Sequence, residues 1–148
     1  MSKIVKSESS HADRLFEIHV SATNYACAAF YPAEIVEIWH KGRTAQGMAM
    51  EIADGNFYTL IDESEIRGFI DYSHEQLRGL FVDPEHHGCG YGSALLQFAM
   101  ERIEIRPAFL KSTLNAVSFY LAHGWTKGAT ELVRRHDRDI YVVHMNLV

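Results

Sequence analysis

Three glycines alternate with other residues in His87-Gly88-Cys89-Gly90-Tyr91-Gly92-Ser93, and no other stretch of the chain is so suggestive of chemistry. Glycine lets the backbone curl with successive N–H groups turned inward. A helix beginning at Gly92 would add about half a positive charge at its N-terminus. The apolar run Leu77 to Val82 precedes the turn, and Leu95, Leu96, Ala99, Met100 and Ile103 follow it at helical spacing. Strand, glycine turn and helix in that order make a concave anion site suited to a phosphate or pyrophosphate. Two other phosphate loops fit poorly. A dinucleotide fold wants GxGxxG inside a βαβαβ pattern, and a nucleoside-triphosphate loop wants Gly-Lys-Ser/Thr at its end. A tight turn whose glycines only relieve strain is the plain alternative. Cys89, beside His86 and His87, has the makings of a nucleophile, because a helix N-terminus lowers a thiol pKa. An anion seated in the turn would leave no room for covalent chemistry there.

The elements that must position this turn are read from periodicity. Ile4 to Lys6 is a first strand. Ser10 and Asp13 suggest a capping box opening a helix with Leu15, Ile18 and Ala22 on one face. Tyr31-Pro32 opens a second helix carrying Ile35, Ile38 and Trp39. Phe57 to Ile61 and Glu65 to Tyr72 form a hairpin turning at Asp62-Glu63-Ser64. Helix Gly92 to Ile105 is stopped by Pro107. Phe109 to Thr113 is a strand, Asn115 caps a short helix, and Gly124 ends it in the left-handed region. Glu131 to His136 and Ile140 to Leu147 complete the set, with Tyr141, Val143, Met145 and Leu147 alternating onto one face. The order β-α-α-β-β-β-α-β-α-β-β predicts an α/β (α+β) domain over residues 1–148, a mixed, mostly antiparallel sheet flanked by helices. The helix after the glycine turn is its one crossover, joining the one parallel pair.

Composition narrows the partners. The 148 residues are 47% apolar and 22% charged, ordinary for a globular domain, and the net charge of −5 argues against a nucleic-acid partner. The basic run Lys127 to Arg138 is interleaved with Glu131, Asp137 and Asp139, which marks a solvated hairpin. Two cysteines build no disulfide framework, no apolar run reaches membrane-spanning length, and no export signal is evident. A cytoplasmic setting without membrane contact is the expectation. The nine histidines form no HExxH or Cys/His cluster, so no metal is expected. The final hairpin offers an edge for a homodimer.

Leu80-Phe81-Val82-Asp83-Pro84-Glu85, the glycine turn and Ser93-Ala94-Leu95-Leu96 together resemble the central motif of the GNAT superfamily of N-acetyltransferases. A second stretch, Leu114-Asn115-Ala116-Val117-Ser118-Phe119-Tyr120-Leu121-Ala122-His123-Gly124-Trp125, resembles that family's downstream N-x-x-A-x-x-F-Y-x-x-x-G-F/W segment in its Asn, Phe-Tyr and Gly-Trp elements. The likeness extends from about Gly55 to Leu147 and is closest to small bacterial members of unassigned substrate. His87 stands where Gln or Arg is usual, and Cys89 where a basic residue is common.

The resemblance implies acetyl-CoA as acetyl donor and an amine, small molecule or peptide, as acceptor, with direct transfer in a ternary complex. Leu80, Phe81 and Val82 would pair with the pantetheine arm, and a backbone N–H near Phe81 or Val82 would polarise the thioester carbonyl. His87, Gly88, Cys89, Gly90, Tyr91, Gly92 and Ser93 would hold the pyrophosphate. Tyr120 would protonate the departing thiolate, while Asn115 would contact the pantetheine or cap its helix. Relatives bring an acid from the strand before the glycine turn. Arg78 stands about there, where it could also read a substrate carboxylate, and His74 and Glu75 just upstream are the base candidates. A binding protein that keeps the fold without turnover is the alternative.

Overall fold

The computed structural model describes residues 1–148. Its strands are β1 (Ser2–Lys6), β2 (Phe57–Asp62), β3 (Glu65–Ser73), β4 (Gln76–Val82), β5 (Ala108–Ser112), β6 (Thr126–Arg135) and β7 (Arg138–Leu147). They form one sheet of order β1-β2-β3-β4-β5-β7-β6, antiparallel except where β4 meets β5. The helices are α1 (Ala12–Cys27), α2 (Ala33–Ile38), α3 (Ala45–Asp54), α4 (Tyr91–Arg102) and α5 (Val117–Ala122). No helix is long and apolar enough to cross a membrane.

Apolar side chains from the strands bury in two layers. Leu95, Leu96 and Ala99 of α4 pack with Leu60, Ile70, Leu77, Leu110, Val143, Met145 and Leu147. A second cluster joins Leu15 and Ile18 of α1 and Met48 and Ile52 of α3 to Phe57 and Phe69. The expected hairpin forms, its Glu63 and Ser64 both at positive φ (52° and 65°), the geometry a two-residue turn needs. The expected crossover also forms: α4 links the parallel neighbours β4 and β5.

Several local expectations give way. A third helix, α3, occupies Ala45–Asp54, where the sequence reading has none. Thr44 caps it, Oγ1 accepting from the Gly47 amide at 3.0 Å. Only Met48 and Ile52 of α3 are buried, one i,i+4 pair, too short a stripe for periodicity to register. The cap at the first helix is not Ser10/Asp13: the Glu8 amide donates to His11 Nδ1 across a 3-10 turn, Ser9–His11, that leads into α1. Helix α4 stops at Arg102, three residues before the expected end, as Ile103 turns extended to bury its side chain. Asn115 caps nothing; it lies in a 3-10 turn, Leu114–Ala116, ahead of α5. Tyr141 is exposed while Ile140 is buried beside Tyr31 and Ile35. An irregularity in β6 between Lys127 and Thr130 re-aims the distal half of that hairpin toward α2.

Candidate active site

Strands β4 and β5 share only two register pairs, Gln76 with Phe109 and Leu77 with Leu110, before they diverge. β4 stays paired to β3 on its other side along its whole length. From Arg78 to Val82, one edge of β4 therefore faces a gap in the sheet. That gap is part of a cleft of 1110 Å³ lined by Leu80, Phe81, Val82, Tyr120 and the glycine turn. A second irregularity shapes it. Asp71 pairs with Gly79 and Tyr72 with Leu77, so Arg78 is an extra residue in β4, a β-bulge of the kind that redirects side chains.

The glycine turn closes one end. Gly88 and Gly90 both have φ of +82°, with open space where a Cβ would project, so the left-handed backbone itself demands glycine there. Gly90 is the N-cap of α4, and Ala94 donates the first helical bond to its carbonyl at 3.0 Å. The amides of the first turn of α4 thus have no intrahelical acceptor and sit at the positive end of the helix dipole. His87 packs edge-on against Tyr25 at 5.4 Å between ring centres. Asp83, just upstream, accepts from the Glu85 amide at 3.0 Å and from the Arg14 guanidinium. His86 is bonded to Arg67. Of the compact cluster Asp83, Glu85 and His86, Asp83 thus anchors this loop to α1 and His86 anchors it to β3.

Tyr120 projects from α5 between Phe119 and Trp125 and is 8% exposed. Burial pushes its phenol pKa well above the ordinary range, so it holds its proton. Helices α4 and α5 are tied together at this point. His123 Nδ1–H donates to the Phe119 carbonyl at 2.8 Å, which leaves Nε2 to accept from the Ser93 hydroxyl at 3.0 Å. Asn115 Oδ1 accepts from the Cys27 thiol at 3.3 Å, and burial raises that thiol to about 11. Tyr31 fixes the same segment, its hydroxyl donating to the Tyr141 carbonyl (2.6 Å) and accepting from the Leu114 amide (3.0 Å).

Polar side chains gather at the other end, from elements far apart in sequence. Asp71 of β3 is 7% exposed, and its Oδ1 is buried without a partner. Burial raises its carboxyl pKa to about 6, although the Arg78 guanidinium, with Nε 3.7 Å from Oδ2, pulls it back. Arg43 Nη2 donates to both carboxylate oxygens of Glu51 of α3, at 3.1 and 3.2 Å. His19 of α1 lies edge-on to Phe81 at 4.7 Å and bonds the Trp39 carbonyl at 3.3 Å. Burial, reinforced by the Arg43 charge, lowers its pKa to about 4, so it is neutral at pH 7.

Most of the residues singled out in the sequence come together here. Leu80, Phe81, Val82, His87, Gly88, Gly90, Tyr91, Gly92, Ser93, Asn115 and Tyr120 all line the cleft. Cys89 does not: its side chain is exposed on the outside of the turn. His74 and Glu75 are also outside it, exposed in the turn between β3 and β4, where His74 takes a positive φ of 42°. Two acids do reach the cleft, Glu51 of α3 and Asp71 of β3, and Asp71 is the one that lies near the expected place, four residues before Glu75. Its signal was available in the sequence: a lone carboxylate inside the apolar run Phe69-Ile70-Asp71-Tyr72.

Residues 53–127 match the sequence model of the family described as Acetyltransferase (GNAT) domain. Among curated proteins the sequence finds no match. Among solved structures, a GCN5-related N-acetyltransferase from Rhodopseudomonas palustris superposes with a TM-score of 0.92 at 16% identity, over 99% of this chain and 95% of the other. The PaiA N-acetyltransferase of Thermoplasma acidophilum, solved in complex with coenzyme A, gives 0.79 at 21% identity over 97% and 98%. Salmonella typhimurium yncA, solved with its cofactor acetyl-CoA, gives 0.74 at 16% identity over 99% and 93%. At these identities the likeness is one of fold.

Proposed function

The chain belongs to the GNAT acetyltransferase family, and from that premise we propose that it is an N-acetyltransferase moving an acetyl group from acetyl-CoA directly to an amine, of a small molecule or a peptide, bound in the same cleft. The observation that carries this reading is a single cleft that joins an amide-lined turn, an unpaired strand edge, Tyr120 and Asp71. The turn suits a diphosphate because its donors are main-chain amides at a helix N-terminus. The open edge of β4 suits an extended amide-bearing arm, which can pair with it as a further strand would. Acetyl-CoA bound there supplies an activated acetyl thioester.

The chain's own residues meet the remaining demands. A β4 amide near Phe81 or Val82 polarises the acyl carbonyl, a contribution of about 3 kcal/mol where such donors have been removed. A primary amine of pKa ~10.4 is only about one part in 10³ neutral at pH 7, so a proton acceptor is needed. Asp71 fills that role, directly or through one water, because burial tunes it toward neutrality while leaving it ionised at pH 7. Tyr120, protonated throughout the physiological range, donates a hydrogen bond to the departing thiolate.

The test pairs calorimetry on acetyl-CoA with thiol release across a panel of amines. Micromolar-range binding with amine-dependent thiol release is expected. Binding without turnover on any amine would make the protein an acyl-CoA-binding module and overturn the proposal.

A further inference from the structure

We propose that the acceptor is an α-amino acid, its carboxylate held by Arg78 and its amine presented to Asp71. This rests on the acetyltransferase reading above and names the substrate class for it.

The argument begins with charge. The chain as a whole is acidic, at −5, yet the cleft is basic: Lys41, Arg43, Arg78, Lys111 and Arg135 line it, against only Glu51 and Asp71. None of these cations belongs to the glycine turn: they stand on the loop before α3 and on β4, β5 and β6. Some are already matched. Arg43 is held by Glu51, and Lys111 is 3.9 Å from Glu131. Arg78 is held more loosely than Arg43, by a longer contact and with more of its side chain exposed. Its side chain is 53% exposed, and its one ionic contact is a single nitrogen, Nε, 3.7 Å from Asp71. The terminal nitrogens of the guanidinium are left to form the two-pronged contact that a carboxylate prefers.

Geometry then selects the class. The β-bulge at Arg78 brings this guanidinium beside the Asp71 carboxylate, on the strand that carries Leu80 to Val82. A cation and an anion side by side are complementary to an ammonium and a carboxylate borne by one carbon. A diamine would bring a second positive charge into a cleft whose two acids already face guanidinium groups. A simple alkylamine would leave Arg78 unused. A peptide N-terminus has no carboxylate on the same carbon as its amine. Trp39, Phe81 and the neutral ring of His19 wall the region, which favours amino acids with uncharged, apolar side chains.

The experiment uses the full chain, acetyl-CoA, and matched pairs that differ only in the carboxylate: phenylalanine and phenethylamine, leucine and isoamylamine, lysine and cadaverine. Thiol release should follow the amino acids, with kcat/KM falling about 10²-fold or more for the decarboxylated partners, the size of effect expected when a site built for a charged group meets an analogue lacking it. Arg78→Gln should raise KM for the amino acid and compress that ratio toward one, Arg78→Lys should restore part of it, and acetyl-CoA affinity by calorimetry should stay unchanged in both. Equal or better turnover of the decarboxylated amines would overturn the assignment while leaving the acetyltransferase reading intact. An unchanged ratio in Arg78→Gln would do the same. Transfer to no amine of either kind would remove both.

Discussion

Replacing Asp71 with Asn should make the protein more stable and less active at the same time, and the gain should depend on pH in a calculable way. Asn matches Asp in shape, so no cavity opens, and Oδ1 of Asp71 is already buried without a partner to lose. What changes is the cost of an ionised carboxylate. Raising a carboxyl from an unfolded value of ~3.9 to about 6 costs the folded state about 3 kcal/mol once the group is ionised. Below about pH 4 the group is protonated in both states and the cost vanishes. Stability is therefore lost as pH rises from ~4 through about 6, and the Asn variant escapes that loss. Its advantage should be near zero at pH 4 and about 3 kcal/mol at pH 8. That corresponds to about 6–12 °C in Tm for a chain of this size.

His19 runs the other way and gives the prediction a second edge. Its pKa is about 4 when folded, against ~6.5 unfolded, so the unfolded chain takes up a proton first as pH falls. Stability is lost as pH drops from ~6.5 toward about 4. In the native protein the two slopes oppose each other over pH 4–6 and largely cancel. With Asp71 gone, the His19 slope stands alone, and stability should climb steeply with pH across that window. Urea unfolding of both proteins at pH 4.5, 6 and 8 and constant ionic strength measures this. An Asn variant less stable at pH 8, or a difference that ignores pH, would refute the account of Asp71 as a strained, buried carboxylate.

Activity should mirror that titration: kcat/KM should rise on an acidic limb near pH 6, and Asp71→Asn should abolish the limb and lower turnover by about 10²-fold. Tyr120→Phe should cost a similar ~10²-fold in kcat with acetyl-CoA affinity preserved, checked by thiol release beside calorimetry, because no group of the protein bonds that hydroxyl. Gly90→Val forces a β-branched residue into a left-handed conformation worth about 1–2 kcal/mol even for simpler side chains. It should weaken acetyl-CoA binding about 10-fold or more by calorimetry, whereas Cys89→Ser, on the outside of the turn, should leave it unchanged.

The cofactor end was legible in the sequence because it is made of backbone. Gly88 and Gly90 permit the left-handed path the turn takes, and the apolar runs on either side state strand and helix. Tyr120 was legible through the Phe-Tyr and Gly-Trp pattern around it. The end proposed for the acceptor is made of side chains that meet only through tertiary structure. Asp71 meets Arg78 through a one-residue register shift that no local pattern records. Arg43 and Glu51 belong to a loop and a helix whose apolar stripe is two residues wide. His74 and Glu75 had the right chemistry at nearly the right place. The hairpin turn that makes them available also carries them out to solvent.

The bulge at Arg78 binds the two ends into one device. Side chains alternate along a strand, so an extra residue inverts the facing of everything beyond it. Without it, the order that puts Leu77 into the α4 core and Phe81 beside His19 and Phe69 on the α1 side could not hold, because residues four apart on a regular strand share a face. The same extra residue directs the Arg78 guanidinium at Asp71 and marks where β4 stops pairing with β5. The edge proposed for an acyl donor and the charge pair proposed for an acceptor are therefore consequences of one local irregularity. A substitution that regularised β4 would disturb both together, while changes at Gly90 or at Asp71 would disturb only one.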